Sequence, residues 1–147
     1  GATDDNRFPD YFSMFTDEVE KLGLKDQVHI LGHIPKQDQL ALLNGSLAVV
    51  QPTLYEGGPG GGSVYDAMSY GIPTIVSDIP INREIEEGDI TFFQVSNPSQ
   101  LADRLIDRLD REYQQPSREA LKELGRERAT RLHMKLDEAI ELAITRT

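Results

Sequence analysis

The chain has 147 residues, enough for one hydrophobic core of ordinary domain size. Its 25 acidic residues against 15 basic ones give a net charge of −10. That excess argues against general affinity for nucleic acid or an anionic membrane surface, both of which need surplus Lys and Arg near phosphates. With no cysteine there is no disulfide framework and no thiolate metal site to propose. No apolar run approaches the ~20 residues needed to cross a bilayer. These features describe a soluble α/β chain expected in the cytoplasm, or at the membrane periphery within a longer parent protein. It opens at Gly1 rather than Met, which reads as a cut N-terminus or a tag remnant.

Residues 1–7 are polar and read as loop. Phe8, Phe12, Phe15, Val19 and Leu22 then recur at spacings of four and three, one face of a helix expected to be core. Gly23 suits the left-handed residue after its C-terminus, and Lys21 suits the helix dipole. Val28-His29-Ile30-Leu31-Gly32 reads as a buried strand, ended by Pro35. Leu40, Leu42 and Leu43 suggest a short helix ending near Asn44-Gly45. Leu47-Ala48-Val49-Val50 is a second expected strand, closed by Pro52. After a glycine-rich loop, residues 64–70 look helical and stop at Gly71. Residues 73–77 and 90–95 are the third and fourth expected strands, the last introduced by the turn pair Gly88-Asp89. Asn97, Pro98 and Gln100 together make a helix start signal, and Leu101, Leu105, Ile106 and Leu109 supply the expected buried face. Further helices are expected over 117–132 and 136–145, with a break near His133.

Strands separated by helices imply parallel pairing with right-handed crossovers. The strand runs are continuously apolar, as expected when helices cover both faces. The expected fold is therefore α/β, a doubly wound, mostly parallel, Rossmann-like sheet. One domain is expected over 1–147, with an α/β core over 8–97 and C-terminal helices over 98–147. Ligands of such sheets bind beyond the carboxyl ends of the strands.

The loop after the second strand has that position. Between Glu56 and Ser63 it carries Gly57, Gly58, Gly60, Gly61 and Gly62, which let a ligand approach the backbone without Cβ atoms in the way. It runs into a helix, whose first amides lack internal partners, so the pair of features suits phosphate. A P-loop needs Gly-Lys-Ser/Thr where Gly62 is followed by Ser63, and G-x-G-x-x-G from Gly58 needs glycine at Ser63. A nucleophile elbow fails too, because Val64 and Tyr65 follow Ser63. Glu56 and Asp66 flank the loop. Carboxylates repel phosphates but accept hydrogen bonds from hydroxyls. A ligand with phosphate in the middle and hydroxyls at both ends, such as a sugar nucleotide, meets both demands.

The order Leu31-Gly32, Leu40 to Leu43, Pro52-Thr53, Glu56-Gly57, Asp66-Ala67-Met68-Ser69-Tyr70-Gly71 and Pro73-Thr74-Ile75-Val76-Ser77 resembles the C-terminal, donor-binding half of family 4 glycosyltransferases of the GT-B fold. The resemblance implies retaining, metal-independent hexosyl transfer from a nucleotide-diphosphate sugar, as in polysaccharide biosynthesis, with no cofactor and no metal. It implies that Glu56 faces the transferred sugar and has the catalytic role, and that Asp66 faces the ribose. Gly57, Gly58, Gly60, Gly61, Gly62 and Ser63 would offer amides to the diphosphate. The family spacing puts its second glutamate at Val64, whereas the matching acid here is Asp66, two residues later. The family's Arg and Lys pair has no counterpart, since no Lys or Arg occurs between Lys36 and Arg83. That segment, like the acceptor-binding domain, is expected to precede residue 1, so the chain reads as a fragment, expected to be inactive alone, or as a degenerate relative.

Simpler readings stand beside these. The glycine loop could be a flexible linker, Glu56 a solvated acid, and Asp66 a complement to its helix dipole. His29 and His33 would lie ~13 Å apart along a strand, too far to share a metal. Arg83 and Glu84 read as a surface ion pair, or as groups reaching the site from the next loop. The alternative function is a non-catalytic nucleotide or nucleotide-sugar binding module that acts through partner association.

Overall fold

A computed structural model describes residues 9–145, which divide into two compact units between Ala41 and Leu42. Phe8 and the expected loop over 1–7 lie outside the described residues.

In the first unit, helix α1 runs Tyr11–Lys21. It ends as its sequence suggests. Gly23 takes φ +70, its amide donates to the Glu20 carbonyl at 2.9 Å, and Leu24 donates to the Val19 carbonyl at 3.0 Å. These two bonds satisfy the last carbonyls of the helix. The aromatic stripe, however, is not a core. Phe12 and Val19 are half-buried, Phe15 is exposed, and no α1 residue is fully buried. Residues 28–32 form no strand either, and Ile30 and Leu31 are about half exposed. The two corrections share a cause. A strand exists only within a ladder, and no sheet ladder among the described residues includes 28–32, so no sheet face is described in this unit for α1 to cover. Helix α2, Lys36–Asn44, crosses the unit boundary and ends at the Asn44-Gly45 signal.

The second unit holds a parallel three-stranded sheet in the order β1-β2-β3, flanked by helices, which is the expected α/β, Rossmann-like arrangement. Strand β1 is Val49–Gln51, β2 is Thr74–Ser77 and β3 is Ile90–Phe93. Each is shorter than its apolar run: Leu47 is left exposed and Val95 falls in a turn. In register, Val50 faces Ile75 and Ile75 faces Thr91. The central strand β2 is buried at all four positions, as a strand covered on both faces must be.

Helix α3, Gly61–Ser69, crosses between β1 and β2 and packs on both. Its Val64 and Met68, with Val76 of β2, form the core cluster against which Ile85, Ile90 and Phe92 lie. Its C-terminal end is tied down from a distance. The Tyr113 hydroxyl donates to the Gly71 carbonyl, and Gln115 Nε2 donates to the Tyr70 carbonyl at 2.7 Å. The Arg108 guanidinium lies over the Tyr113 ring, 4.4 Å from its centroid.

Helix α4, Pro98–Leu109, starts where its cap signal puts it, with Asn97 Oδ1 accepting from the Gln100 amide at 3.0 Å. Its inward face differs from the one expected. Leu101, Arg104, Leu105 and Arg108 are partly buried, whereas Ile106 and Leu109 are exposed. Two arginines hold positions on that face, because their stems pack while their charged ends reach polar partners such as the Phe92 carbonyl. Helix α5 runs unbroken over Arg118–Thr145. The expected break at His133 does not occur, since residues 133–136 contain neither Pro nor Gly to interrupt the hydrogen bonds.

Burial raises the Tyr113 pKa above its ordinary value, the charge of Asp89 adds to the shift, and Arg108 opposes it. The neutral phenol is therefore favoured in the fold. This contribution is fully present below the unfolded pKa, near 10, and is lost as pH rises through the raised folded value. In urea unfolding, Tyr113→Phe should cost ~1 kcal/mol at neutral pH through the bond lost to Gly71. It should also make the decline in stability above pH ~10 shallower. An alkaline limb identical to wild type would contradict this role for Tyr113.

Candidate functional site

The carboxyl ends of β1 and β2 lie side by side, and the segments leaving them build the site. Gln51 closes β1 opposite Val76, so Ser77, the next residue of β2, stands at the same end of the sheet. The Ser77 hydroxyl donates to the Thr53 carbonyl at 2.5 Å and ties the glycine loop to β2. Beyond β2 the chain enters a short 3-10 turn, Pro80–Glu84, which carries Asn82 into the interior with no exposed surface. Asn82 Nδ2 donates to the Ser77 carbonyl at 2.9 Å, and its Oδ1 accepts from the Gly60 amide at 3.0 Å.

Gly60 and Gly61 are both left-handed, with φ of +65 and +63. Neither place accepts a side chain. A Cβ on Gly60 would fall 2.8 Å from Val64 Cγ1, and one on Gly61 would fall 2.9 Å from Glu56 Oε2. This double turn aims the start of α3 outward from the sheet. The helix begins at Gly61, earlier than its apolar residues suggest, so Gly61, Gly62 and Ser63 are its first turn rather than loop. The Gly60 amide is taken by Asn82 and the Gly61 amide by the Gly58 carbonyl at 3.4 Å. The amides of Gly62 and Ser63 have no acceptor among the described residues.

Glu56 is half-buried beside this turn. Gln51 Nε2 donates to Glu56 Oε1 at 2.5 Å, and the Ser63 hydroxyl donates to Gln51 Oε1 at 2.9 Å. The structure thus brings Glu56, Gly60, Gly61, Gly62 and Ser63 into one cluster. Gly57 and Gly58 lie on the loop leading into it, with open space where a Cβ would stand. Asp66, half-buried in α3, lies one turn beyond Ser63 on the same side of the helix.

Two residues of this network were not singled out by sequence reasoning, Gln51 and Asn82. A polar residue ending an otherwise apolar strand was the available signal for Gln51. Asn82 offered none, because its partners lie 5 and 22 positions away. Arg83 does not pair with Glu84 as one sequence reading had it. It grips Asp78 with two bonds of 2.6 and 2.7 Å, which raise its pKa, and it stays largely exposed. His29 and His33 hold no metal cluster, and among the described residues no group of three His, Cys, Asp or Glu side chains is placed to hold a metal ion.

The chain matches the family described as Glycosyl transferases group 1 over residues 9–128, which includes every residue of this cluster. It belongs to the group 1 glycosyltransferases. Glycosyltransferase 1 domain-containing protein 1 of Xenopus tropicalis is 35% identical over 97 residues, covering 63% of this chain and 28% of that protein. The chain therefore spans less than a third of the length of this relative. No solved structure matches it significantly. Among the described residues of this glycosyltransferase chain, no helix is long and apolar enough to cross a membrane.

Asn82 bonds two backbone groups that water does not reach; without it the Gly60 amide is left unpaired, while the Ser77 carbonyl keeps the Ile79 amide at 2.9 Å. Asn82→Ala should cost ~1–3 kcal/mol in urea unfolding through that orphaned amide. Gly60→Ala should also destabilise, by at least ~1 kcal/mol, through its left-handed backbone and the Val64 contact. A midpoint unchanged in either variant would show that the turn does not depend on that residue.

Proposed function

We propose that this chain supplies the donor site of its glycosyltransferase and binds a nucleotide-diphosphate sugar at the start of α3. The observation that carries the reading is the pairing of two open helix amides, Gly62 and Ser63, with an oriented carboxylate, Glu56, at the carboxyl edge of a parallel sheet. Amides at a helix N-terminus suit a diphosphate, whose charge the helix dipole favours. Gly57, Gly58, Gly60 and Gly61 keep the approach clear of side chains. Glu56 accepts a hydroxyl of the sugar to be transferred, and Asp66, one turn further along, accepts hydroxyls of the ribose.

The narrower assignments follow from the resemblance to family 4. This unit is proposed as one half of a GT-B fold, and the acceptor as the ligand of a separate domain of the whole enzyme. Transfer is proposed to be retaining and metal-independent, of hexosyl type, and to serve polysaccharide assembly in the cytoplasm. In that scheme the amides stabilise the departing diphosphate together with cations from outside this chain, which is the kind of electrostatic assistance that lowers such barriers most.

Saturation-transfer NMR with UDP-glucose, GDP-mannose and ADP-glucose tests the donor reading. One of them should show transfer. Glu56→Ala should weaken its binding about tenfold, the value of a hydrogen bond to a charged group, and Asp66→Ala should weaken it by a smaller factor. The absence of transfer from all three, in protein shown to be folded, would overturn the proposal.

A further inference from the structure

Gln51 occupies a position that the proposed donor chemistry does not yet use. It is the last residue of β1, its backbone held in the ladder opposite Val76, so its side chain springs from the end of the sheet. Both ends of its amide are engaged. Oε1 accepts from the Ser63 hydroxyl at 2.9 Å, and Nε2 donates to Glu56 Oε1 at 2.5 Å. An amide can be turned over without changing its shape, so only its partners fix which end faces the carboxylate. A carboxylate only accepts, so Glu56 takes the N–H end, and Oε1 is left to accept from the Ser63 hydroxyl, which holds the side chain from its other end.

The consequence falls on the two oxygens of Glu56. Oε1 is occupied by Gln51. Oε2 is the oxygen nearest the position where a Cβ on Gly61 would stand, 2.9 Å away, so it lies over the first turn of α3. We infer that Gln51 is a positioning residue: with Ser63 it holds Glu56 with one oxygen occupied and the other presented as an acceptor beside the open amides. This inference rests on the donor reading above, in which that acceptor meets a sugar hydroxyl. The Ser63 hydroxyl is then committed to Gln51, and only the Ser63 amide is left for phosphate.

Such a role separates two affinities that a merely structural role would move together. Glu56 touches the sugar and not the nucleotide, so its misplacement weakens the sugar nucleotide and spares the bare nucleoside diphosphate. The experiment measures dissociation constants of UDP-glucose, GDP-mannose and ADP-glucose and of UDP, GDP and ADP, for wild type, Gln51→Leu, Ser63→Ala and Ser63→Thr. For the sugar nucleotide that binds, Gln51→Leu should weaken affinity about fivefold while its bare diphosphate changes less than twofold. Ser63→Ala should move the ratio the same way, and Ser63→Thr, which keeps the hydroxyl, should restore it. Equal loss for both ligands, or no loss for either, would overturn the inference. Should Gln51→Leu not fold, Ser63→Ala and Ser63→Thr at an exposed position carry the same comparison.

A second measurement needs no ligand. In the wild-type chain the Gln51 side-chain amide protons should exchange slowly with solvent, and Glu56→Leu should speed that exchange and shift the resonance. Free exchange in wild type would overturn the inference on its own. If no sugar nucleotide binds while the amide is protected, the donor reading fails and the Gln51–Glu56 pairing stands as a structural contact alone.

Discussion

A polar side chain with no exposed surface must find partners for both its donor and its acceptor, and Asn82 finds them in two different segments. One is the end of β2, five residues back, and the other is the left-handed turn at Gly60, 22 residues back. Through one amide the buried end of the central strand becomes the support for the entry to α3. Without it, the turn would keep only the longer Gly61-to-Gly58 bond and the left-handed backbone that glycine allows. The open amides at Gly62 and Ser63 directly follow that supported turn, whereas Glu56 is held by Gln51. The candidate site is thus tied to the interior through the Gly60 amide.

The acidity of the chain sharpens what such a site can do. A strongly negative protein gives an incoming diphosphate no long-range attraction, so binding depends on local donors. Backbone amides at a helix start are donors whose direction is set by the fold and which need no counter-charge from a side chain. The one arginine close to the site in sequence, Arg83, is committed to Asp78. Glu56 sits beside these amides with its Oε1 bonded to the Gln51 amide and its Oε2 near Gly61. In the proposed donor reading, a carboxylate there favours hydroxyls over a second phosphate.

Much of the frame was legible because it depends on local pattern. Continuous apolar runs marked β1, β2 and β3, and each observed strand lies inside its run or within one residue of it. The Asn97-Pro98 start of α4 and the Gly23 end of α1 were legible because caps are made by neighbours in sequence. What depended on distant partners was not. Residues 28–32 have a strand-like composition, but composition does not supply a neighbour to pair with. The inward face of α4 was misjudged because Arg104 and Arg108 pack through their stems, which a pattern of apolar residues cannot register. The glycine loop and Glu56 were legible as a candidate site, whereas Gln51 and Asn82, which bond to them, act through contacts that exist only once the strands are adjacent.

The long helix α5 shows the same division between local and distant causes. No residue of it is fully buried, and Leu136, Ile140, Leu142 and Ile144 are exposed, while Leu121 near its start is half-buried beside Gly71. Ion pairs add a second attachment further along. Arg128 and Arg131 both reach Glu87, and Lys135 reaches Glu86 at 3.2 Å. Glu87 and Arg128 are each about a quarter exposed, so their pair is less screened than the exposed pairs that contribute ~0–1 kcal/mol. Glu86 and Glu87 directly follow the 3-10 turn that carries Asn82, with Ile85 between them packed against the core. The segment that holds α5 by charge is therefore continuous with the turn that supports the glycine loop. Residues 80–87 bind both the helix and the site to one core, which gives a short, irregular stretch between β2 and β3 more influence on the site than its lack of regular structure suggests.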